Sequence, residues 1–313
     1  MKSNLPDPGA RDRIRQGDGG PPKPEARAEG LRGDLPRELA AAIEGARPRL
    51  GRLASTIVFF ETVGSTNDVA MSRSATASAE RSAQPPAPSS QPPEGLVVVA
   101  GEQTSGRGRR GHKWFSPAGS GLYVSVVLAP ATAVLDPARA TTLLTLAAGV
   151  ALAEGIGQAT GLRVDLKWPN DLQVSRRKLG GILAESSGTG GSPDIVVVGY
   201  GLNVLATAFP PELRDRATSL ESELGRAIDR HHLLAETLAA LSRRYENLLA
   251  GQFDVILDAW RRLAPCATGA RVAWTTTAGA ASGVTAGIDD LGALLVRVDD
   301  RVERIVSGEI EWA

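Results

Sequence analysis

Cysteine is almost absent from this 313-residue chain. Cys266 stands alone, which excludes an internal disulfide and any zinc site built from cysteines. A reducing, cytoplasmic setting fits that usage. Net charge is missing too: Lys plus Arg and Asp plus Glu each number 35. Proteins that coat nucleic acid or lie on anionic membranes usually carry a large basic excess, so both classes are disfavoured. No uninterrupted apolar stretch approaches the ~18 residues of a membrane span. The start, Met1-Lys2-Ser3-Asn4, runs into prolines and charges rather than an apolar signal segment. No carboxylate pair or Ser-His-Asp arrangement stands out. His112, His231 and His232 read as solvated surface groups, and Glu185 and Asp194 as ordinary strand-edge charges.

What is present is a core-forming composition, 42% apolar, interrupted by two low-complexity tracts. Residues 1 to about 35 are rich in Pro, Gly, Arg and Asp and are expected to be disordered, within a mostly disordered extension over 1–50. One helix is expected from Leu35 to Leu50. Residues 72–93, dominated by Ser, Ala, Gln and Pro, read as a flexible insertion in a surface loop.

The rest is densely patterned. Ile57 to Phe60, Leu96 to Ala100 and Leu122 to Leu128 are apolar strands, the second continuous enough for burial on both faces. Asp136-Pro137 starts a helix, with Asp as N-cap and Pro at the first helical position. The glycines 155, 157 and 161 are expected to end it. Leu162, Val164, Leu166 and Trp168 alternate with Arg163, Asp165 and Lys167, the signature of a strand with one polar face. Lys178 to Ser187 and Asp194 to Val204 read as a hairpin, and Asp229 caps a long helix. After Pro265 the texture changes to short strands with glycine turns, which predicts a separate small β-barrel of about 45–50 residues. The expected class is α+β: a mixed sheet with helices over 51–264, and the barrel over 265–313.

The most distinctive segment is Gly106-Arg107-Gly108-Arg109-Arg110-Gly111. It matches G-x-G-x-x-G formally, but that dinucleotide reading needs a helix directly after the loop. Pro117, Gly119 and Gly121 follow instead, so the reading fails. A P-loop reading over Gly101 to Arg107 fails for want of the following Lys-Ser/Thr. The physical content that remains is backbone freedom plus guanidinium groups able to fork onto phosphate or carboxylate oxygens. Without a ligand such a loop should be mobile, because like charges repel; an anion could order it as a lid. A solvated basic loop is the competing reading. Lys167, ahead of the Pro169-Asn170-Asp171 turn, is either a solvent-facing strand residue or a cation placed at a site. Trp114 is either core or a stacking platform.

Taken together, Ser65-Thr66-Asn67, Gln103 with Gly106 to Trp114, Lys167-Trp168-Pro169-Asn170-Asp171, Lys178 to Leu183, Gly199-Tyr200-Gly201-Leu202-Asn203-Val204 and the terminal Gly308-Glu309-Ile310 resemble, in order and spacing, the motifs of biotin protein ligases. The resemblance covers about Ser65 to Ala313. It implies that family's catalytic fold and an SH3-like C-terminal barrel. It also implies a two-step reaction: biotin and MgATP give biotinyl-5′-AMP and pyrophosphate, and the adenylate passes biotin to a lysine of a biotin carboxyl carrier protein. The implied catalytic residues are Lys167 and Arg109. Biotin would be held by Ser65, Thr66, Asn67, Gln103, Arg107, Gly108, Arg109 and Lys167. The adenylate would lie against Gly106, Arg107, Arg109, Arg110, Trp114, Lys178 and Asn203. ATP with Mg²⁺ is a co-substrate, and no tightly bound organic cofactor is implied. No metal ligand or general base is marked in the sequence. Residues 1–50 hold too little apolar sequence for the DNA-binding winged helix of regulatory family members. The expectation is therefore a ligase that does not bind DNA or membrane and is compatible with a homodimer. The rival readings are a lipoate–protein ligase of the same wider fold and a non-catalytic, biotin-responsive regulator.

Overall fold

The computed structural model describes residues 35–82, 94–186, 195–206, 209–276, 279–308 and 310–312. The tract expected to be disordered lies outside them up to residue 34, as do residues 83–93, Asp194 and Glu309.

The chain's alternation of apolar and small residues builds one seven-stranded sheet. Its strands are β1 (Thr56–Val63), β2 (Leu96–Gln103), β3 (Gly121–Leu128), β4 (Asp165–Lys167), β5 (Asp171–Val174), β6 (Arg177–Ser186) and β7 (Val196–Asn203). They lie in the order β1-β2-β3-β7-β6-β5-β4. β1 and β2 run parallel and every other neighbour pair is antiparallel. The helices are α1 (Arg37–Ala46), α2 (Thr66–Ser82), α3 (Pro137–Thr160), α4 (Leu220–Leu224), α5 (Arg230–Leu249) and α6 (Phe253–Leu263).

Because strand side chains alternate, the two faces of the sheet have different fates. In β3, Leu122, Val124, Val126 and Leu128 join the main core with α3, α5 and α6, while Val127 joins a smaller cluster with Val58, Ala70, Leu96, Val98, Ile195 and Val197 beneath α2. The second face carries Ser125, and Gly199 and Gly201 of β7, where the first carries Leu, Val and Tyr200. One face is thus packed, and the other is left shallow beyond α2.

Several expectations shift. Residues 37–50 belong to the fold: Leu39, Ile43 and Ala46 recur at helical spacing and are buried, and Ser242 donates to the Leu50 carbonyl. Burying Leu39 and Ile43 is worth roughly 1.5–3 kcal/mol each. The folded unit therefore starts before residue 51. Residues 72–82 are not loop; they continue α2 to Ser82. Asp136 caps α3 as expected, its side chain accepting from the Arg139 backbone N–H. Of the glycines expected to end α3, only Gly161 does so, in the left-handed conformation at φ 80°. Gly155 is interior, and a Cβ there would lie 2.6 Å from Thr237 Cα and 2.9 Å from the Glu236 carbonyl oxygen. Its role is to let α5 cross α3 closely. By length and composition α3 could cross a membrane, yet 72% of its most apolar window is buried inside the protein.

After α6 come β8 (Thr268–Thr276), β9 (Gly279–Ile288), β10 (Leu294–Val298), β11 (Arg301–Ile305) and β12 (Glu311–Trp312), forming an antiparallel sheet in the order β11-β10-β9-β8-β12. Among the described residues β11 and β12 do not pair, so the expected barrel is an open five-stranded sheet. β12 has two residues and pairs with β8. Nor is this module separate: Val272, Trp274, Ile288, Leu294 and Val296 share one continuous core with α3, α5 and α6. Trp168 donates its indole N–H to the Gly292 carbonyl at 2.9 Å.

Gly155→Ala should destabilise the protein by about 1–3 kcal/mol, because both obstructing groups are rigid backbone. A denaturant midpoint equal to wild type would refute the close helix crossing as the reason for this glycine.

Candidate active site

The shallow face of the sheet is where the sequence motifs converge. Register places Gly181 of β6 beside Gly201 of β7 and Tyr123 of β3, and Leu183 beside Gly199 and Ser125. This small-residue floor lets other side chains lie directly on backbone. A Cβ on Gly199 would sit 2.1 Å from Asn67 Oδ1, and one on Gly201 2.3 Å from Trp114 Nε1. A Cβ on Gly181 would reach within 3.3 Å of Lys178 and 3.6 Å of the Trp114 ring.

At one end of this trough, Ser65, Thr66 and Asn67 open α2 and are each only 3% exposed. Gln103, at the end of β2, accepts from the Thr66 backbone N–H at 2.9 Å and from its hydroxyl at 3.0 Å. That fixes the Gln103 amide, whose Nε2 donates to Ser116 Oγ at 3.1 Å. Asn67 Nδ2 donates to Glu185 Oε2 at 2.6 Å and to the Leu183 carbonyl at 3.4 Å. Ser125 Oγ lies 2.6 Å from Asn67 Oδ1 and 2.8 Å from Thr66 Oγ1, so its single proton serves one or the other. These buried polar groups brace one another, as buried polar groups must.

Above them stands the arginine–glycine loop, folded as a small hairpin. Gly108 N–H donates to the His112 carbonyl at 2.7 Å and Trp114 N–H to the Gly106 carbonyl at 2.9 Å, with Arg110 and Gly111 turning the tip at φ 55° and 77°. The like-charge repulsion expected to loosen the loop is offset by acids on neighbouring elements. Arg107 donates to Asp68 at 2.6 Å and to Glu185 at 2.9 Å. Burial opposes its charged form, but the bonds from Glu185 and Asp68 outweigh it and hold the pKa above the usual arginine value.

Arg109 differs. It is half-buried, and burial, followed by the like charge of Arg110, lowers its pKa against the pull of Asp171. Its bond is to a neutral group, Asn170 Oδ1 at 3.4 Å. Asn170 spends its Nδ2 on the Ile182 carbonyl at 2.7 Å, which leaves the oxygen facing the guanidinium. Beside it, Lys178 Nζ meets Asp171 at 2.6 Å and lies 5.6 Å from the Trp114 ring centre. The Trp114 Nε1 is buried without a hydrogen-bond partner. Asn203 donates to the Thr218 carbonyl at 3.0 Å, on the edge of the same cluster.

The predicted residues thus fall into two groups along one trough. Ser65, Thr66, Asn67, Gln103 and Arg107 gather at one end, and Arg109, Trp114 and Lys178 at the other. Lys167 is the cross-strand partner of Asp171, but its ammonium lies 6.0 Å from the ring of Trp312 in the C-terminal module. Gly106 is buried under Trp114 and Ser116, and Arg110 is exposed at the tip. Sequence reasoning missed Ser125, Asp68 and Asp171, and misjudged Glu185 as an ordinary edge charge. The strand period held the missing signal: Glu185 follows Gly181 and Leu183 on the same face of β6. Among the described residues no cluster of His, Cys, Asp and Glu could hold a metal ion. A cavity of about 150 Å³ lies on the packed side of the sheet among Leu39, Phe59, Val99, Leu122 and Leu234, and no predicted site residue lines it.

Comparison with known proteins gives this architecture its context. Residues 76–203 match the model of the Biotin/lipoate A/B protein ligase family, and residues 269–312 match that of the biotin protein ligase C-terminal domain. The chain is 37% identical over 205 residues to a biotin–[acetyl-CoA-carboxylase] ligase of Paracoccus denitrificans, covering 83% of that protein and 64% of this chain. It is 37% identical over 221 residues to a bifunctional ligase/repressor of Bacillus subtilis, spanning 66% of that protein's length and 70% of its own. A solved biotin protein ligase of Aquifex aeolicus, in complex with biotin and ATP, superposes with a TM-score of 0.65 at 27% identity. The superposition covers 83% of this chain and 99% of that one.

The trough floor is testable in isolation. Gly201→Ala should expel the Trp114 indole, red-shift tryptophan emission and cost roughly 1–3 kcal/mol of stability. The shift should vanish in a Trp114→Phe background; a shift that persists there would assign it to another tryptophan.

Proposed function

This chain belongs to the biotin protein ligases of the Biotin/lipoate A/B protein ligase family, and from that premise we propose that it activates biotin with ATP as biotinyl-5′-AMP and transfers it to a lysine of a biotin carboxyl carrier protein. The observation that carries this reading is Arg109, a half-buried guanidinium bonded to a neutral amide, beside Lys178 and Trp114 on the glycine floor. A desolvated cation held in that way is stabilised by an incoming anion. The Paracoccus and Aquifex relatives, a ligase and a complex with biotin and ATP, support the choice of anions.

In the first step the biotin carboxylate attacks the α-phosphorus of ATP, an acyl–phosphate bond forms, and pyrophosphate leaves. Both reactants are anions, so the barrier includes their mutual repulsion. Arg109, Lys178 and Lys167 offset it and stabilise charge building on the phosphoryl oxygens. Magnesium would travel with the nucleotide phosphates, since the described residues offer no carboxylate cluster to hold it. The brace of Ser65, Thr66, Asn67 and Gln103 supplies donors and acceptors for the neutral ureido ring, and Gly108 lets the hairpin approach it. Trp114, seated on Gly201, offers a flat face to adenine, and Asn203 and Gly106 complete the adenylate side. The hairpin bearing Arg107, Arg109 and Arg110 covers the mixed anhydride against water. In the second step the carrier lysine amine, once deprotonated, attacks the acyl carbon and AMP leaves.

Labelled biotin incubated with MgATP and a carrier domain should become covalently attached to that domain. Transfer of labelled lipoate instead, or of neither, would sink the assignment. Arg109→Ala and Lys167→Ala should each lower biotin-dependent ATP–pyrophosphate exchange by about 10²-fold or more, with kcat falling further than KM rises, because their contribution belongs to the transition state. Exchange at the wild-type rate in either variant would remove that residue from the chemistry.

A further inference from the structure

Three charged groups near the trough are not needed by the reaction as written: Asp68, Glu185 and the guanidinium of Arg107 that joins them. Asp68 sits in the first turn of α2 and Glu185 on β6, so two separate elements grip one loop side chain. The grip is directional. Nη1 goes to Asp68 and Nη2 to Glu185, at 2.6 and 2.9 Å, so the planar fork gives each carboxylate its own nitrogen. Glu185 Oε2 also takes the Asn67 amide at 2.6 Å, so one carboxylate oxygen ties the hairpin to the buried brace. Arg107 is thereby occupied as a cation, whereas Arg109, two residues on, faces only Asn170 and the field of Asp171.

We propose that Asp68 and Glu185 are positioning residues that clamp Arg107 and so hold the hairpin closed over the trough, setting how long the acyl-adenylate is retained rather than how fast it forms. This rests on the ligase reading above. It assigns Arg107 to the loop's attachment rather than to direct contact with the ligand anions. Each ion pair is partly exposed, with side-chain exposures of 40% for Arg107, 57% for Asp68 and 33% for Glu185, so each contact is weak by itself. The clamp therefore releases readily, as a loop that must admit substrates and present product requires.

Two measurements on the full chain test this. Trypsin cleavage at Arg109 and Arg110 of the ligand-free protein reports hairpin opening without reference to chemistry. Loss of pre-formed biotinyl-adenylate from enzyme isolated by gel filtration reports retention. Asp68→Asn should speed both about fivefold, the scale of one such pair, and leave ATP–pyrophosphate exchange within about twofold of wild type. Glu185→Gln should speed both as well, and Asp68→Glu should restore both. Arg107→Lys, whose one nitrogen would have to serve both carboxylates, should speed both cleavage and loss of the adenylate. Unchanged rates in Asp68→Asn would overturn the proposal. So would faster cleavage with unchanged retention, or faster retention loss with unchanged cleavage. A wild-type protein that forms no adenylate would instead defeat the ligase reading, with the cleavage arm still judging the clamp.

Discussion

The site depends on the absence of three side chains. On the working face of the central sheet Gly181, Gly199 and Gly201 leave backbone bare, and Trp114 and Asn67 come down onto it at distances no Cβ would permit. The opposite face of the same strands carries Leu202, Tyr200 and Ile182 packed against α3 and α5. Strand alternation makes both arrangements from one stretch of chain. The rigidity of the packed face fixes the geometry of the open one, so the polar brace and the cation cluster are set by residues that touch neither.

Charge is divided along the hairpin with similar economy. A run of arginines in one loop is unfavourable unless each has a separate destination. Arg107 goes to carboxylates on α2 and β6, Arg109 to the half-buried end of the trough, and Arg110 to solvent. The pKa directions reflect this: Arg107 is raised by its acids and Arg109 lowered by burial. The acidic residues that make this possible come from elsewhere in the chain, which is consistent with a zero net balance.

Much of this was legible in the residue pattern. Strand periodicity located β1, β2, β3 and the β6–β7 hairpin, and the caps at Asp136 and Asp229 marked α3 and α5. What failed had identifiable physical causes. Composition alone made 72–82 a loop, although a run of Ser and Ala tolerates helix once α2 has been nucleated upstream. Gly155 looked like a stop because helix propensity says nothing about a neighbouring helix needing the space. The terminal strands suggested a closed barrel, but closure depends on strand length and partner, which local pattern does not encode. At the site, motif order pointed to the cationic and amide residues. Ser125, Asp68 and Glu185 make long-range contacts, such as the 118-residue separation between Asn67 and Glu185, that only the folded sheet reveals.

The hydrogen bond from Trp168 to the Gly292 carbonyl has an implication for how such proteins can be recombined. Gly292 lies in the left-handed region, and a Cβ there would strike Leu146 at 2.7 Å and Leu143 at 3.1 Å, so the turn between β9 and β10 is moulded to α3 as well as to the Lys167–Trp168 strand end. The sequence boundary near Pro265 is therefore not a mechanical boundary. A chimera that exchanged the C-terminal strands alone would pair a foreign turn with the native α3 surface. The transferable unit is the five-stranded sheet together with the helix face and the tryptophan against which it was shaped.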